Sequence, residues 1–235
     1  MFPDHLLTGE VSIHPGFAQA LGLVQGPKQI RTKEADENEI VAASVSITTR
    51  VSAAYEEAAR IMGRLRDIPP GAGGFKRYED LMQSAISFAF QGYLSNPKLH
   101  ATPWGGGEIR DIVFNNTGET RFFETIRDSY VAVTVPFECK NKSTLEAGDF
   151  HQIEASLTES TSRFGFVCYR SDRREPIKQE IRYLQEIYSR DVIHHKMVML
   201  LSDANLWQLL EQRAKGKLDA FMYKMYTRYI RLYLA

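Results

Sequence analysis

Tyr130-Val131-Ala132-Val133-Thr134-Val135-Pro136-Phe137-Glu138-Cys139-Lys140-Asn141 is the stretch on which the reading of this chain turns. Its Val and Phe content marks residues 130–140 as a strand. Residues two apart in a strand share a face, so Glu138 and Lys140 point one way while Phe137, Cys139 and Asn141 point the other. A carboxylate and an ammonium side by side on a sheet otherwise built of Val and Phe cost stability unless they are paired or used. An ordinary edge-strand salt bridge would account for the pair in isolation. The pair has neighbours, however: Asp111 falls in the preceding expected strand, within Glu108-Ile109-Arg110-Asp111, and Glu79 near the start of the helix before that. An aspartate, a glutamate and a lysine from neighbouring strands suit metal-assisted phosphodiester hydrolysis. The carboxylates hold Mg2+ through hard oxygens, the ion polarises the phosphate and activates a water, and the ammonium steadies the water or the charge on the phosphate.

The pattern extends outward on both sides. Downstream, residues 150–161 read as a helix, Phe164-Gly165-Phe166-Val167-Cys168-Tyr169-Arg170 as a strand, 175–189 as a helix and 196–201 as a strand. A helix over 204–214 follows, capped by Ser202 or Asp203. Upstream, a helix from about 77 to 94 carries Leu81, Ala85, Phe88 and the Ala89/Gly92 pair on one face and stops ahead of Asn96-Pro97. The strand with Asp111 covers 108–114, and 121–130 is a short helix. Trp104-Gly105-Gly106-Gly107 is expected to be a tight turn, because the lysine and the serine or threonine of a phosphate-binding loop do not follow it. Strands alternating with helices of this length imply an α/β fold, a sandwich around a central mixed β-sheet flanked by helices. In the final stretch, 219–235, Tyr223, Tyr226, Tyr229 and Tyr233 leave two readings open. They stack on bases among Lys224, Arg228 and Arg231, or they dock a helix on the core.

The first third reads differently. Residues 1–38 are irregular, and from 39 to about 66 Ile40, Ser44, Ile47, Val51, Ala54, Ala58, Ile61 and Leu65 fall alternately four and three apart. That is one long amphipathic helix, packed on its own domain or serving as a dimerising or partner-binding seam. Pro69-Pro70-Gly71-Ala72-Gly73-Gly74 breaks it and is the expected boundary between an arm-and-helix segment, 1–70, and a second domain, 71–235.

Composition narrows the classes. A chain of 235 residues with 43% hydrophobic and 25% charged side chains can bury a core and is neither disordered nor fibrous. No window resembles a spanning helix or a signal peptide, so a soluble cytoplasmic protein without membrane association is expected. Cys139 and Cys168 each sit in an apolar run, which suggests buried thiols. The 29 basic and 29 acidic side chains balance, but unevenly along the chain: residues 71–160 hold 8 basic and 12 acidic, and 161–235 hold 14 and 8. An acidic middle beside a basic end suits carboxylates that hold a cation near a surface that meets phosphates. Tyr169-Arg170, Arg173 and Arg174, at the end of a strand, are candidates for that surface, along with Lys142. Adjacent His194 and His195 point apart and lack zinc spacing, and no Gly-x-Ser-x-Gly elbow is present.

Taken in order, the helix with Tyr78-Glu79, the strand with Arg110-Asp111, the strand with Phe137-Glu138-Cys139-Lys140-Asn141, the helix with Gln152 and the strand from Phe164 to Arg170 resemble the PD-(D/E)XK nuclease superfamily. Within it the resemblance is to bacterial restriction and phage-defence proteins, in which a Glu-x-Lys-Asn strand precedes a helix bearing a glutamine. It runs from about residue 75 to 210. It implies a restriction-endonuclease-like three-layer sandwich and a DNA endonuclease. It also implies Mg2+, with Mn2+ able to substitute, held by Asp111, Glu138 and the backbone carbonyl of Cys139. Lys140 is then catalytic, and Glu79 and Gln152 complete the site. DNA is the expected partner, together with a second copy of the chain or an ATPase- or helicase-like defence protein. A non-catalytic nucleic-acid-binding or assembly subunit on the same fold is the alternative. No proline precedes Asp111, where Arg110 stands instead, and residues 1–70 have no counterpart in the resemblance.

Overall fold

The computed structural model describes residues 53–101 and 110–234. All of them fall in one compact unit, Ile47–Ala235. The expected arm over 1–38, the first half of the long helix and the turn at Trp104-Gly107 lie outside the described residues.

Helix α1 covers residues 53–66, and a short 3-10 turn, Ala72–Gly74, leads into α2 (Phe75–Ala89). Then come β1 (Leu94–Ala101), β2 (Arg110–Asn116), α3 (Arg121–Tyr130), β3 (Thr134–Lys140), α4 (Ala147–Ser156) and β4 (Phe164–Tyr169). The chain continues with α5 (Lys178–Ser189), β5 (Met197–Ser202), α6 (Asp203–Ala214) and α7 (Leu218–Leu234). The five strands lie in sequence order, β1-β2-β3-β4-β5. The first three are antiparallel, and β3, β4 and β5 are parallel. Parallel neighbours need a crossover, which α4 and α5 supply. This is an α/β fold with a mixed sheet and helices on both faces.

Alternation along β3 assigns the faces. Pro136 lies toward α4: a side chain added at Gly165 would meet Ile153 Cδ1 and Leu157 Cδ2 at 3.1 Å and Pro136 Cγ at 3.2 Å. That closeness of α4 to the sheet is why a glycine stands there. Phe137 points to the opposite face, where its ring stacks on Phe166 with centroids 4.8 Å apart and Phe90 and Phe114 close the cluster. Strands β4 and β5 are buried along their whole length, as parallel strands covered on both faces must be.

One element differs from its expectation. The helix expected to reach residue 94 ends at Ala89, and Leu94–Ala101 is an edge strand. Asn96-Pro97 reads locally as a breaker, but an edge strand tolerates a missing N–H, and the register shift between Ser95 and Lys98 absorbs the proline. The opposite edge is closed by α7. Tyr229 Oη accepts from Leu200 N–H (3.0 Å) and donates to Leu200 O (3.3 Å), and Tyr233 Oη binds Val198 N–H and O in the same way. Two tyrosines one helical turn apart thus saturate two residues of β5 that would otherwise be an open edge. The tyrosines dock a helix.

The break at residues 69–74 turns the chain within the compact unit. Ala58, Ile61, Leu65 and Ile68 are buried in the same core as the sheet, so the helix before the break and the elements after it share one interior.

Candidate functional site

The ladder between β2 and β3 runs from Asn115↔Thr134 to Ile112↔Phe137. One step further, Asp111 stands across from Glu138 on the α4 face of the sheet. There a side chain replaces the backbone acceptor: Asp111 Oδ2 accepts the Cys139 N–H at 2.7 Å. The N–H and C=O of a strand residue project to the same edge, so the Cys139 carbonyl is directed into the gap beside Asp111. The Cys139 side chain faces away and is fully buried; contact with the Cys168 thiol, together with burial, raises its pKa.

Glu138 is 2% exposed and Asp111 8%. Lys140 Nζ donates to Glu138 Oε1 at 2.8 Å and to Gln152 Oε1 at 2.6 Å, and lies 4.0 Å from Asp149 Oδ1. Burial pushes the Glu138 carboxyl up to about 7, with a further rise from the Asp111 charge and a partial offset from Lys140. Two buried carboxylates against one ammonium leave negative charge short of a partner.

Gln152 is presented by α4, and both ends of that helix are tied. At its N-terminus the Glu146 N–H donates to Asp149 Oδ2 at 2.7 Å, and Lys142 Nζ sits 2.8 Å from the same oxygen. The bond to Asp149 raises the Lys142 pKa. At its C-terminus the buried Arg110 guanidinium donates to Ser156 O, and burial lowers the Arg110 pKa. The arginine that stands before Asp111 therefore clamps the helix that carries Gln152, a role no local pattern signals.

Asn141, the last residue of the motif, closes the turn before α2. Its Nδ2 donates to Pro69 O (2.9 Å) and Gly71 O (2.7 Å), and its carbonyl accepts from Gly71 N–H (2.6 Å). A Cβ at Gly74 would lie 2.1 Å from Pro69 O and 2.8 Å from Asn141 Nδ2, so glycine is required where this turn closes. Arg170, expected to meet phosphate, is occupied in the same joint. It bonds Asn141 Oδ1 (3.1 Å), Ile68 O (2.9 Å), Leu65 O (3.3 Å) and Asp203 Oδ2 (2.8 Å). Burial raises the Asp203 carboxyl, which this guanidinium partly offsets. Arg170 fastens the end of α1 to the sheet, with four of its five N–H donors used inside the joint.

The other expected residues are distributed as follows. Arg173 reaches Ser171 Oγ (3.2 Å) and Glu180 Oε1 (3.4 Å) and is half-buried. Arg174 is exposed in the loop between β4 and α5. Glu79 is fully buried in α2, 3.3 Å from Lys76 Nζ and 3.4 Å from His100 Nε2, and its Oε1 has no hydrogen-bond partner among the described residues. Neither Glu79 nor the Asp111–Glu138 pair belongs to a group of three: among the described residues the one group of three or more His, Cys, Asp or Glu with ligand atoms within 4.8 Å of one another is Glu159, Asp191 and His194, all exposed. His195 is used structurally, stacked on Tyr188 with Nδ1 2.7 Å from Tyr188 O.

Asp111, Glu138 and the Cys139 carbonyl form an all-oxygen donor set of the kind Mg2+ and Mn2+ take, and their surplus negative charge fits a cation. A cleft lined by Gly71, Ala72, Phe75, Lys140, Lys142 and Asp149 gives access to Lys140. No helix among the described residues is long and apolar enough to cross a membrane.

In comparison with known proteins, the chain is similar to the "Putative transposon gamma-delta 80.3 kDa protein" of Escherichia coli (strain K12), 28% identical over 183 residues. That region is 75% of this chain, which spans 25% of that relative. No family model matches the chain. No solved structure matches it.

Proposed function

We propose that this chain is a Mg2+-dependent endonuclease that hydrolyses phosphodiester bonds in DNA, built on the restriction-endonuclease-like fold of the PD-(D/E)XK superfamily. The observation that carries this reading is the convergence of Asp111, Glu138, Lys140 and Gln152 where β2 and β3 leave their ladder, with Lys140 lining a cleft. Mg2+ held by Asp111, Glu138 and the Cys139 carbonyl would supply a Lewis acid for a phosphate oxygen and for a water. Lys140 has three N–H donors, of which Glu138 and Gln152 take two. The third is left to hold a water or a phosphate oxygen in line for attack. Gln152 therefore acts as a positioning residue, and Arg110 holds Gln152 in turn through α4. Restriction of foreign DNA is the setting the family resemblance suggests, and the likeness to a protein named for a transposon is in keeping with a DNA substrate.

Incubation of supercoiled plasmid with the protein tests the reading. Nicked or linear product is expected in millimolar Mg2+ and none in EDTA, and Lys140→Ala should slow cleavage about 10²-fold or more. Cleavage that survives EDTA, or that Asp111→Ala and Lys140→Ala leave unchanged, would assign any activity to another site.

A further inference from the structure

Helices α6 and α7 meet the loop after β4 around a groove of 630 Å³, lined among others by Arg174, Gln208, Gln212, Lys224, Arg228 and Arg231. One carboxylate lines it, Glu175, and that is bound to Arg228. No ion pair ties Arg174, Lys224 or Arg231 among the described residues. Lys224, Arg228 and Arg231 follow each other by four and three residues, so they share one face of α7, opposite the buried Met222, Tyr226, Tyr229 and Tyr233. Like charges at that spacing repel. The packing of α7 uses its other face, so folding does not account for this row of cations, whereas an anion lying along it would offset the repulsion. The facing side of α6 offers Gln208 and Gln212, neutral amides that donate hydrogen bonds without adding charge.

The groove opens at the same end of the sheet as Lys140. Strand register sets Lys140, Tyr169 and Ser202 side by side at the C-terminal ends of β3, β4 and β5. Asn205, in the first turn of α6, donates to Arg174 O at 3.2 Å and so fixes the mouth of the groove next to Ser202. Two strand spacings separate that mouth from Lys140, about 10 Å. A nucleic-acid strand advances roughly 3.4 Å per nucleotide along its axis.

We propose that this groove is a second phosphate site, which grips the DNA backbone about three or more nucleotides from the bond held at Lys140. The distance to the cleaved bond rests on the nuclease reading; the grip itself does not. Fluorescence anisotropy of a short labelled DNA duplex, in EDTA and across a KCl series, tests it. Lys224→Ala/Arg231→Ala removes two unpaired charges and no packing, and should flatten the slope of log K against log salt by about two. Arg60→Ala/Arg182→Ala removes two exposed charges elsewhere and should keep the wild-type slope. A groove variant with wild-type affinity and slope overturns the proposal, as does a control variant that loses as much. Plasmid cleavage by the same preparations separates the two readings. A flattened slope with no Mg2+-dependent cleavage by the wild type would leave the grip standing and sink the nuclease. Cleavage with an unchanged slope would do the reverse.

Discussion

Lys140 holds Glu138 and Gln152 at 2.8 and 2.6 Å, and this geometry explains why it sits on a buried strand at all. An ammonium 14% exposed is maintained by its acceptors, and in the proposed function its remaining donor meets the substrate. Gln152→Ala should therefore act through Lys140. Turnover is expected to fall about 10-fold or more while KM for DNA changes little, because an interaction made in the transition state is weakened rather than ground-state binding. A variant that raised KM and left kcat alone would show that Gln152 touches DNA itself. From the sequence, Asp111, Glu138, Lys140 and Gln152 are expected to lie together, as they do, but the duties of the polar residues around them are not legible there. Arg170 next to Arg173 and Arg174 looks like part of a basic run, yet its partners are carbonyls at Leu65 and Ile68 and side chains at Asn141 and Asp203. Those partners are remote in sequence, so no local pattern exposes them.

Among the elements, β3, β4 and β5 and their intervening helices were legible because continuous apolar runs separated by amphipathic segments have few alternative packings. β1 was not, since Asn96-Pro97 carries the same local signal whether it ends a helix or bulges an edge strand. Two element-level tests follow from contacts that the sequence hid. Arg110→Met keeps the apolar length of the side chain and removes its bond to Ser156 O, which should cost about 1.5–3 kcal/mol in urea unfolding and slow cleavage through a looser α4. Equal stability would show that α4 does not depend on this clamp. On the far edge, the Tyr229 and Tyr233 hydroxyls are buried, which raises both above the ordinary 10.0. The unfolded chain releases these protons near the ordinary value while the folded chain keeps them, so their stabilisation is whole below about pH 10 and declines as pH rises further. Tyr229→Phe/Tyr233→Phe should lower stability at neutral pH by about 1–3 kcal/mol per hydroxyl and flatten the alkaline decline. An alkaline decline of undiminished steepness in that variant would place the titrating groups elsewhere.

Over the whole molecule, the unit from Ile47 onward behaves as one interior. Ile61, Leu65 and Ile68 are each at most 4% exposed within the common core. Their burial is worth roughly 1.5–3 kcal/mol apiece, a large share of the 5–15 kcal/mol that typically holds a domain. A fragment that starts at residue 71 should therefore lose cooperative unfolding by circular dichroism, whereas one that starts at residue 47 should keep it. A stable fragment from residue 71 would show that the elements after the break fold without the helix before it. The formal charge of the chain is zero, yet Arg174, Lys224 and Arg231, which form no ion pair among the described residues, line the α6–α7 groove together.

Whether Asp111 and Glu138 hold a divalent cation can be measured without knowing the substrate. Titration calorimetry of the wild type with Mn2+ should give one site, and Asp111→Asn should abolish it while leaving the fold cooperative. Metal at 100 times its Kd should also stabilise the wild type by about 2.7 kcal/mol. No binding by the wild type would rule out a cation site at Asp111 and Glu138. So would binding that survives Asp111→Asn and disappears instead when the exposed His194, within ligand distance of Glu159 and Asp191, is replaced by alanine.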